Sequence, residues 1–376
     1  MSRRLLATIS LLLIALCAPA SASKRRASAA PPVPAPGPSG SFLWAGLQPG
    51  PRLVAYKTAL LRIEGEEFHH GPQHFIQASV WYPAQPGTGT PMTFRDYVLL
   101  KVTENTIEEP TEAARNATLA EFRRSLTDIG VSERTANAIL DAPVFARRDA
   151  LTPPRVLSPI VFIAPGIGRS AIDQAILAEY IASYGYVVVA TPSVTRLTGP
   201  LTGDEQLGAR LEQQAEDMDI AASMVGVMWP SAVNTPISVV GYDIGADAAL
   251  LYSMHHPTVV IALLDPSLHA PAGLASLRAA PTFVHDAGLP PLLEIDSSDE
   301  PASTFMTTLN AKEFSTVTEP SMRHIHFTTL GFAAAVFPDV AKATGAGPNI
   351  KHDVVDFAQR TLQFLDRIWG PVRPPR

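Results

Sequence analysis

The chain has 376 residues, 46% of them hydrophobic, and a formal net charge of −6. The apolar fraction supports a sizeable core and excludes a disordered chain. The mild acidity, with no basic stripe, argues against nucleic acid as a partner.

Arg3 and Arg4, the short apolar run Leu5–Leu16 and the small residues Ala20-Ser21-Ala22 read as an export signal over residues 1–22. The run is too short for a comfortable membrane span. A secreted or periplasmic protein is expected, with no integral span after signal removal. Cys17 is the sole cysteine and lies inside this segment. The mature chain is therefore expected to lack disulfides, a thiol nucleophile and cysteine-bound zinc. Residues 23–50 are rich in Ala, Pro, Gly and Ser and read as a disordered linker. Residues 51–376 then form one large domain of the α/β type.

Within that domain, Leu53–Ile63 and Phe75–Tyr82 read as strands, paired antiparallel at one edge of a sheet. Residues 93–150 are dominated by helix formers and read as a helical insertion, with Ser132 opening its second helix. It serves either as packing decoration or as a cap over a site. From Pro159 the rhythm is strand, loop, helix. Strands are expected at Pro159–Ala164, Tyr186–Ala190, Pro236–Val240, Val259–Leu264, Pro291–Ile295 and Met322–Phe327. Helices are expected at Asp173–Tyr184, Glu205–Met228, Ala246–His255 and Val354–Trp369. Short buried strands alternating with helices predict a mostly parallel central sheet covered on both faces. Sites in such sheets form at the carboxyl ends of strands.

Four strand-end loops hold the residues suited to chemistry. Gly241-Tyr242-Asp243-Ile244-Gly245 joins a strand to a helix of small residues, the frame of a nucleophile elbow. Pro165-Gly166-Ile167-Gly168 follows an earlier strand. Leu264-Asp265-Pro266 follows the strand after the elbow. His324-Ile325-His326-Phe327 lies near the end of the chain. No metal cluster and no cofactor site is apparent, since the histidines lack a nearby set of ligands in sequence.

The elbow, the acid loop one strand later, the His-x-x-Phe loop and the strand Val80-Trp81-Tyr82-Pro83-Ala84 resemble the α/β-hydrolases of the platelet-activating-factor acetylhydrolase and dienelactone-hydrolase kind. The resemblance runs over about Leu53–Trp369. It implies an α/β-hydrolase fold, a small-molecule or lipid ester as substrate or ligand, and a triad at Asp243, Asp265 and His324. It also implies an oxyanion hole from the backbone N–H groups of Ile167 and Ile244. Asp299 matches where many other α/β-hydrolases place the acid and stands as the alternative. His326 competes with His324, but Phe327 lies three residues after His324, as the pattern asks. The departures are Asp243 where the family has serine, Tyr242 where histidine often precedes it, Pro165 in place of a histidine, and Thr329 where an aspartate is usual.

An aspartate changes the chemistry. Attack on an acyl carbon would give a reactive anhydride, whereas displacement at an sp³ carbon leaves an ordinary ester that activated water can cleave. Three readings follow. One is an ester-hydrolase relative whose activity Asp243 alters or reduces. Another is a non-catalytic binding protein on the same fold. The third is an epoxide hydrolase or haloalkane dehalogenase with an aspartate nucleophile. Against the last stand Ile244, where such enzymes usually have tryptophan, and an insertion whose only tyrosine is Tyr97.

Overall fold

The computed structural model describes residues 40–64, 73–104, 106, 108–153, 158–198, 204–228, 237–299 and 303–369. The export signal and residues 23–39 of the expected linker lie outside them. Among the described residues no helix is long and apolar enough to cross a membrane.

The chain enters through β1 (Leu53–Glu64) and β2 (Gln73–Ala84), then β3 (Thr90–Thr93), α1 (Phe94–Leu100), α2 (Glu112–Asp128), α3 (Glu133–Leu140) and β4 (Pro143–Arg148). The central alternation is β5 (Ile160–Ala164), α4 (Ala175–Ser183), β6 (Val187–Ala190), α5 (Val194–Thr198), α6 (Asp204–Met228), β7 (Ile237–Tyr242), α7 (Ile244–His255) and β8 (Thr258–Leu264). It closes with α8 (Pro271–Ala279), β9 (Leu292–Asp296), β10 (Phe314–Thr318), α9 (Thr329–Ala334), α10 (Pro338–Ala343) and α11 (Ile350–Trp369). One sheet takes the order β10-β9-β8-β7-β5-β6-β2-β1-β4-β3. Strands β10 through β6 in that order are mutually parallel. β2 joins β6 antiparallel, and β1 pairs β2 antiparallel from Leu53↔Ala84 to Glu64↔Gln73.

The parallel strands are apolar because both faces are covered. On β5, Val161 and Ile163 join one core with Ile181 of α4, Phe332 of α9 and Phe357 of α11. Ile160 and Phe162 point the other way, into a core with Leu211 of α6, Leu250 of α7 and Leu277 of α8. The period-2 pleat of one strand thus feeds two helical layers.

Three sequence expectations change. Met322–Phe327 is not a strand. It holds the 3-10 turn His324–Phe327, with His326 N–H bonded to the Arg323 carbonyl at 2.8 Å. The strand lies earlier, at Phe314–Thr318, a half-exposed edge whose Ser and Thr residues gave no apolar signal. The 93–150 insertion keeps α1, α2 and α3, with Ser132 accepting a bond from Thr135 N–H as the N-cap of α3. It is bracketed, however, by the short paired strands β3 and β4. Finally, residues 40–50 are packed rather than disordered. A 3-10 turn spans Phe42–Trp44, and Leu43, Trp44 and Leu47 have no solvent exposure. These large apolar side chains give the end of an Ala- and Pro-rich stretch enough surface to bury.

Candidate functional site

The elbow is built by close packing. Asp243 follows β7 at the N-cap position of α7 with φ 55° and ψ −128°, a region that non-glycine residues rarely adopt. The flanking glycines permit this turn. A Cβ on Gly241 would lie 2.4 Å from the Ala246 Cα, and one on Gly245 would lie 2.2 Å from the Ala164 carbonyl oxygen. The main chain of α7 therefore presses directly on the end of β5.

The carboxylate of Asp243 turns toward the Gly166–Gly168 loop after β5, whose Ile167 N–H is expected to serve an oxyanion. Ile167 N–H donates to its Oδ2 at 2.9 Å, and the Ile244 N–H lies near enough to draw on the same carboxylate. Gly166 makes room, since a Cβ there would lie 2.7 Å from Oδ2. Burial pushes the Asp243 carboxyl above its ordinary pKa, against the pull of these two amides and of the nearby His324 and Arg169 charges.

Asp265 leaves β8 in the left-handed region, φ 47°. Its Oδ2 lies 2.6 Å from His324 Nδ1, and Ser297 holds it through its N–H, 2.7 Å from Oδ1, and its hydroxyl, 3.1 Å from Oδ2. His324 Nε2 stands 3.9 Å from Asp243 Oδ1, beyond hydrogen-bond reach. The imidazole stacks on the Tyr242 ring at 4.8 Å between centroids, and the Tyr242 hydroxyl donates to the His324 carbonyl at 3.1 Å. Burial depresses the imidazole pKa, but the Asp265 hydrogen bond and the Asp243 charge outweigh it and hold it above the ordinary histidine value.

The alternative residues do other work. Asp299 accepts the backbone N–H of His324 at 2.8 Å and pairs with Arg323 at 2.7 Å, so it fixes the loop and not the imidazole ring. His326 is fully buried. Its Nδ1 accepts from Arg323 N–H at 2.8 Å and its Nε2 meets the Thr344 hydroxyl at 2.7 Å. Burial pulls its pKa down to about 4, so it is a neutral structural group. Ile167, Asp243 and Asp265 thus come from the carboxyl ends of the neighbouring parallel strands β5, β7 and β8. The turn after β10 brings His324 to them.

Sequence reasoning missed several contributors. Glu104, in the insertion, accepts from the Ser170 hydroxyl, from Ala171 N–H at 3.2 Å and from Arg196, and so ties the insertion to the loop of Ile167. Burial raises its pKa, opposed by Arg196. Beside it a cavity of about 150 Å³ opens between insertion and body, with Phe94, Phe122, Lys101, Arg169 and Ile325 in its wall. The expected absence of a metal cluster also fails as a statement about geometry, because Asp265, His269 and Asp296 converge. They come from separate loops and strand ends, which spacing along the chain does not reveal.

This fold resembles that of a ferulic acid esterase from Streptomyces cinnamoneus, with a TM-score of 0.57 at 17% identity over 87% of this chain and 93% of that one. The fold is that of an α/β-hydrolase. Weaker structural matches include a dienelactone hydrolase from Anabaena variabilis, with a TM-score of 0.37 at 15% identity over 57% of this chain and 88% of that one. Another is a cold-adapted esterase from an Arctic intertidal metagenomic library, with a TM-score of 0.43 at 11% identity over 84% of this chain and 94% of that one. No protein-family model and no curated protein sequence matches the chain.

Proposed function

We propose that this α/β-hydrolase is an exported relative of carboxylic-ester or lipid-ester hydrolases of the platelet-activating-factor acetylhydrolase and dienelactone-hydrolase kind, in which Asp243 suppresses ester turnover. The observation that carries the reading is the bond from Ile167 N–H to Asp243 Oδ2 at 2.9 Å. Ester hydrolysis needs that amide for the carbonyl oxygen of the substrate. Here a side-chain carboxylate already takes it, and that carboxylate stands where the serine hydroxyl would be. The Asp243 charge also favours the cationic imidazole at His324, which is the wrong state for a general base.

The test is Asp243→Ser. It restores a hydroxyl beside His324, frees the two amides and keeps the Asp265–His324 pair. Hydrolysis of p-nitrophenyl acetate or butyrate is expected to rise on the order of 10²-fold over Asp243→Ala, with wild type close to the Ala variant. Equal rates in the Ser and Ala variants would sink the reading.

A second reading has one observation in its favour. With Oδ2 held by Ile167, Oδ1 is the oxygen turned toward His324, as displacement at an sp³ carbon would ask. Two features weigh against it. Ile244 follows Asp243, and Tyr97 is buried with its hydroxyl donating to Glu179 at 2.8 Å, so it is not free to activate an epoxide oxygen. Wild-type turnover of an epoxide or haloalkane that Asp243→Ala abolishes would establish this second chemistry. A small ligand bound at these loops without turnover in any of these assays would instead make the protein a binding module.

A further inference from the structure

Beside the Asp265–His324 pair lies a polar cluster whose other members, His269, Glu294 and Asp296, the proposed ester chemistry does not use. Asp296 ends β9 and Glu294 sits two residues earlier on the same face; both are fully buried. His269 closes the turn after Asp265-Pro266, and its side chain is 4% exposed. His269 Nε2 lies 3.0 Å from Asp296 Oδ1 and 3.9 Å from Glu294 Oε1. One oxygen or nitrogen each from Asp265, His269 and Asp296 fall within 4.8 Å of one another.

The protein's own donors do not satisfy this group. Thr316 donates to Asp296 Oδ2 at 3.1 Å, and Ser297 serves Asp265. Glu294 has neither oxygen in a regular hydrogen bond, although the backbone N–H of Ser303 leans toward it, and His269 Nδ1 is also unpartnered. Glu294 and Asp296 therefore share the His269 imidazole in a buried site, while Asp265 is bonded to His324. Two carboxylate oxygens without a hydrogen-bond partner at this depth are costly. Glu294 is independent of the three converging residues, and its unpaired oxygen faces His269 among them.

We propose that Asp265, His269, Glu294 and Asp296 bind one divalent transition-metal ion of the Zn²⁺ or Mn²⁺ type. One imidazole nitrogen with carboxylate oxygens suits these ions, whereas Mg²⁺ and Ca²⁺ prefer oxygen alone. Donors within 4.8 Å need to contract by less than about 1 Å to reach an ion at roughly 2.0–2.2 Å. The ion would cross-brace the loop after β8 to the end of β9. It shares Asp265 with the ester chemistry proposed above, but its test variants change only His269 and Glu294, so metal counting and the ester assay read the two proposals separately.

The experiment uses the whole chain, produced without a histidine tag in medium supplemented with ZnCl₂ or MnCl₂ and then desalted. Metal counting by mass spectrometry is expected to give about one ion per chain. His269→Gln and Glu294→Gln are each expected to bring it below roughly a tenth of an ion, and to abolish the fall in Tm that a chelator causes in the wild type. His256→Ala is the surface control: His256 meets Asp219 at 3.3 Å on another face, and its loss leaves the count unchanged. X-ray absorption at the zinc edge, which needs no variant to fold, is expected to report a single imidazole among oxygen ligands. A metal-free wild type after supplementation, full loading of both Gln variants, or a spectrum of several imidazoles would overturn the assignment.

Discussion

The imidazole of His324 sits between two carboxylates that do different things to it. Asp265 bonds its Nδ1 at 2.6 Å, whereas Asp243 acts only through charge, 3.9 Å from Nε2. Its folded pKa lies above the ordinary value, so folding takes up a proton as pH falls toward that midpoint. The associated stabilisation is fully present below about pH 6.5, the ordinary histidine value, and is lost as pH rises through the raised folded pKa. Asp243→Asn removes one of the two raising charges and keeps the side-chain shape. Its His324 midpoint, followed by NMR, is expected to fall below that of the wild type while remaining dependent on Asp265. An unchanged midpoint would mean that Asp243 exerts no field at the ring. In Asp243→Ser, ester turnover is expected to rise with pH through the new midpoint, because only the neutral imidazole accepts the serine proton.

At the scale of elements, one buried carboxylate joins three separate segments. Glu179 on α4 accepts from Trp44 Nε1 at 3.0 Å, Tyr97 Oη at 2.8 Å, Phe145 N–H at 3.1 Å and Ala146 N–H at 3.0 Å. The entry turn, α1 and β4 all meet there. Glu179→Ala leaves four donors, three of them buried, without an acceptor and is expected to cost about 3–5 kcal/mol in urea unfolding; a cost below about 1 kcal/mol would show that water or a rearrangement serves these donors instead. Nothing in the sequence marked this residue, since an isolated glutamate in an apolar helix carries no periodic signal. The elements with strong local signals were legible: the Val-rich buried strands, the Gly-x-Asp-x-Gly elbow with its steric need for both glycines, and the N-cap at Ser132. The edge strand Phe314–Thr318 was not, because half-exposed Thr and Ser residues read as loop. The order of Asp243, Asp265 and His324 along the chain was readable. That Asp243 folds onto Ile167 was not, because it depends on a side-chain rotamer and on the absence of a Cβ at Gly166.

Across the whole molecule, the two cores flank one sheet, and the segment before β1 belongs to the first of them. Phe42, Leu43, Trp44 and Leu47 all lie in that core. A chain beginning at Pro49 is therefore expected to melt roughly 10 °C below one beginning at Gly40, since several large buried side chains are lost. Equal melting temperatures would mean that this turn adds no stability. The oxyanion pocket has a different bearing on how the protein meets its surroundings. Asp243 is a ligand tethered by a single methylene, so its effective concentration at Ile167 and Ile244 far exceeds that of any free carboxylate in the medium. If the protein is the ester-hydrolase relative proposed above, its resting state is occupied by an internal mimic of a carboxylic-acid product. On that reading, acetate and other free acids would meet a receptor already filled, and the site would stay silent toward them for as long as the tether holds.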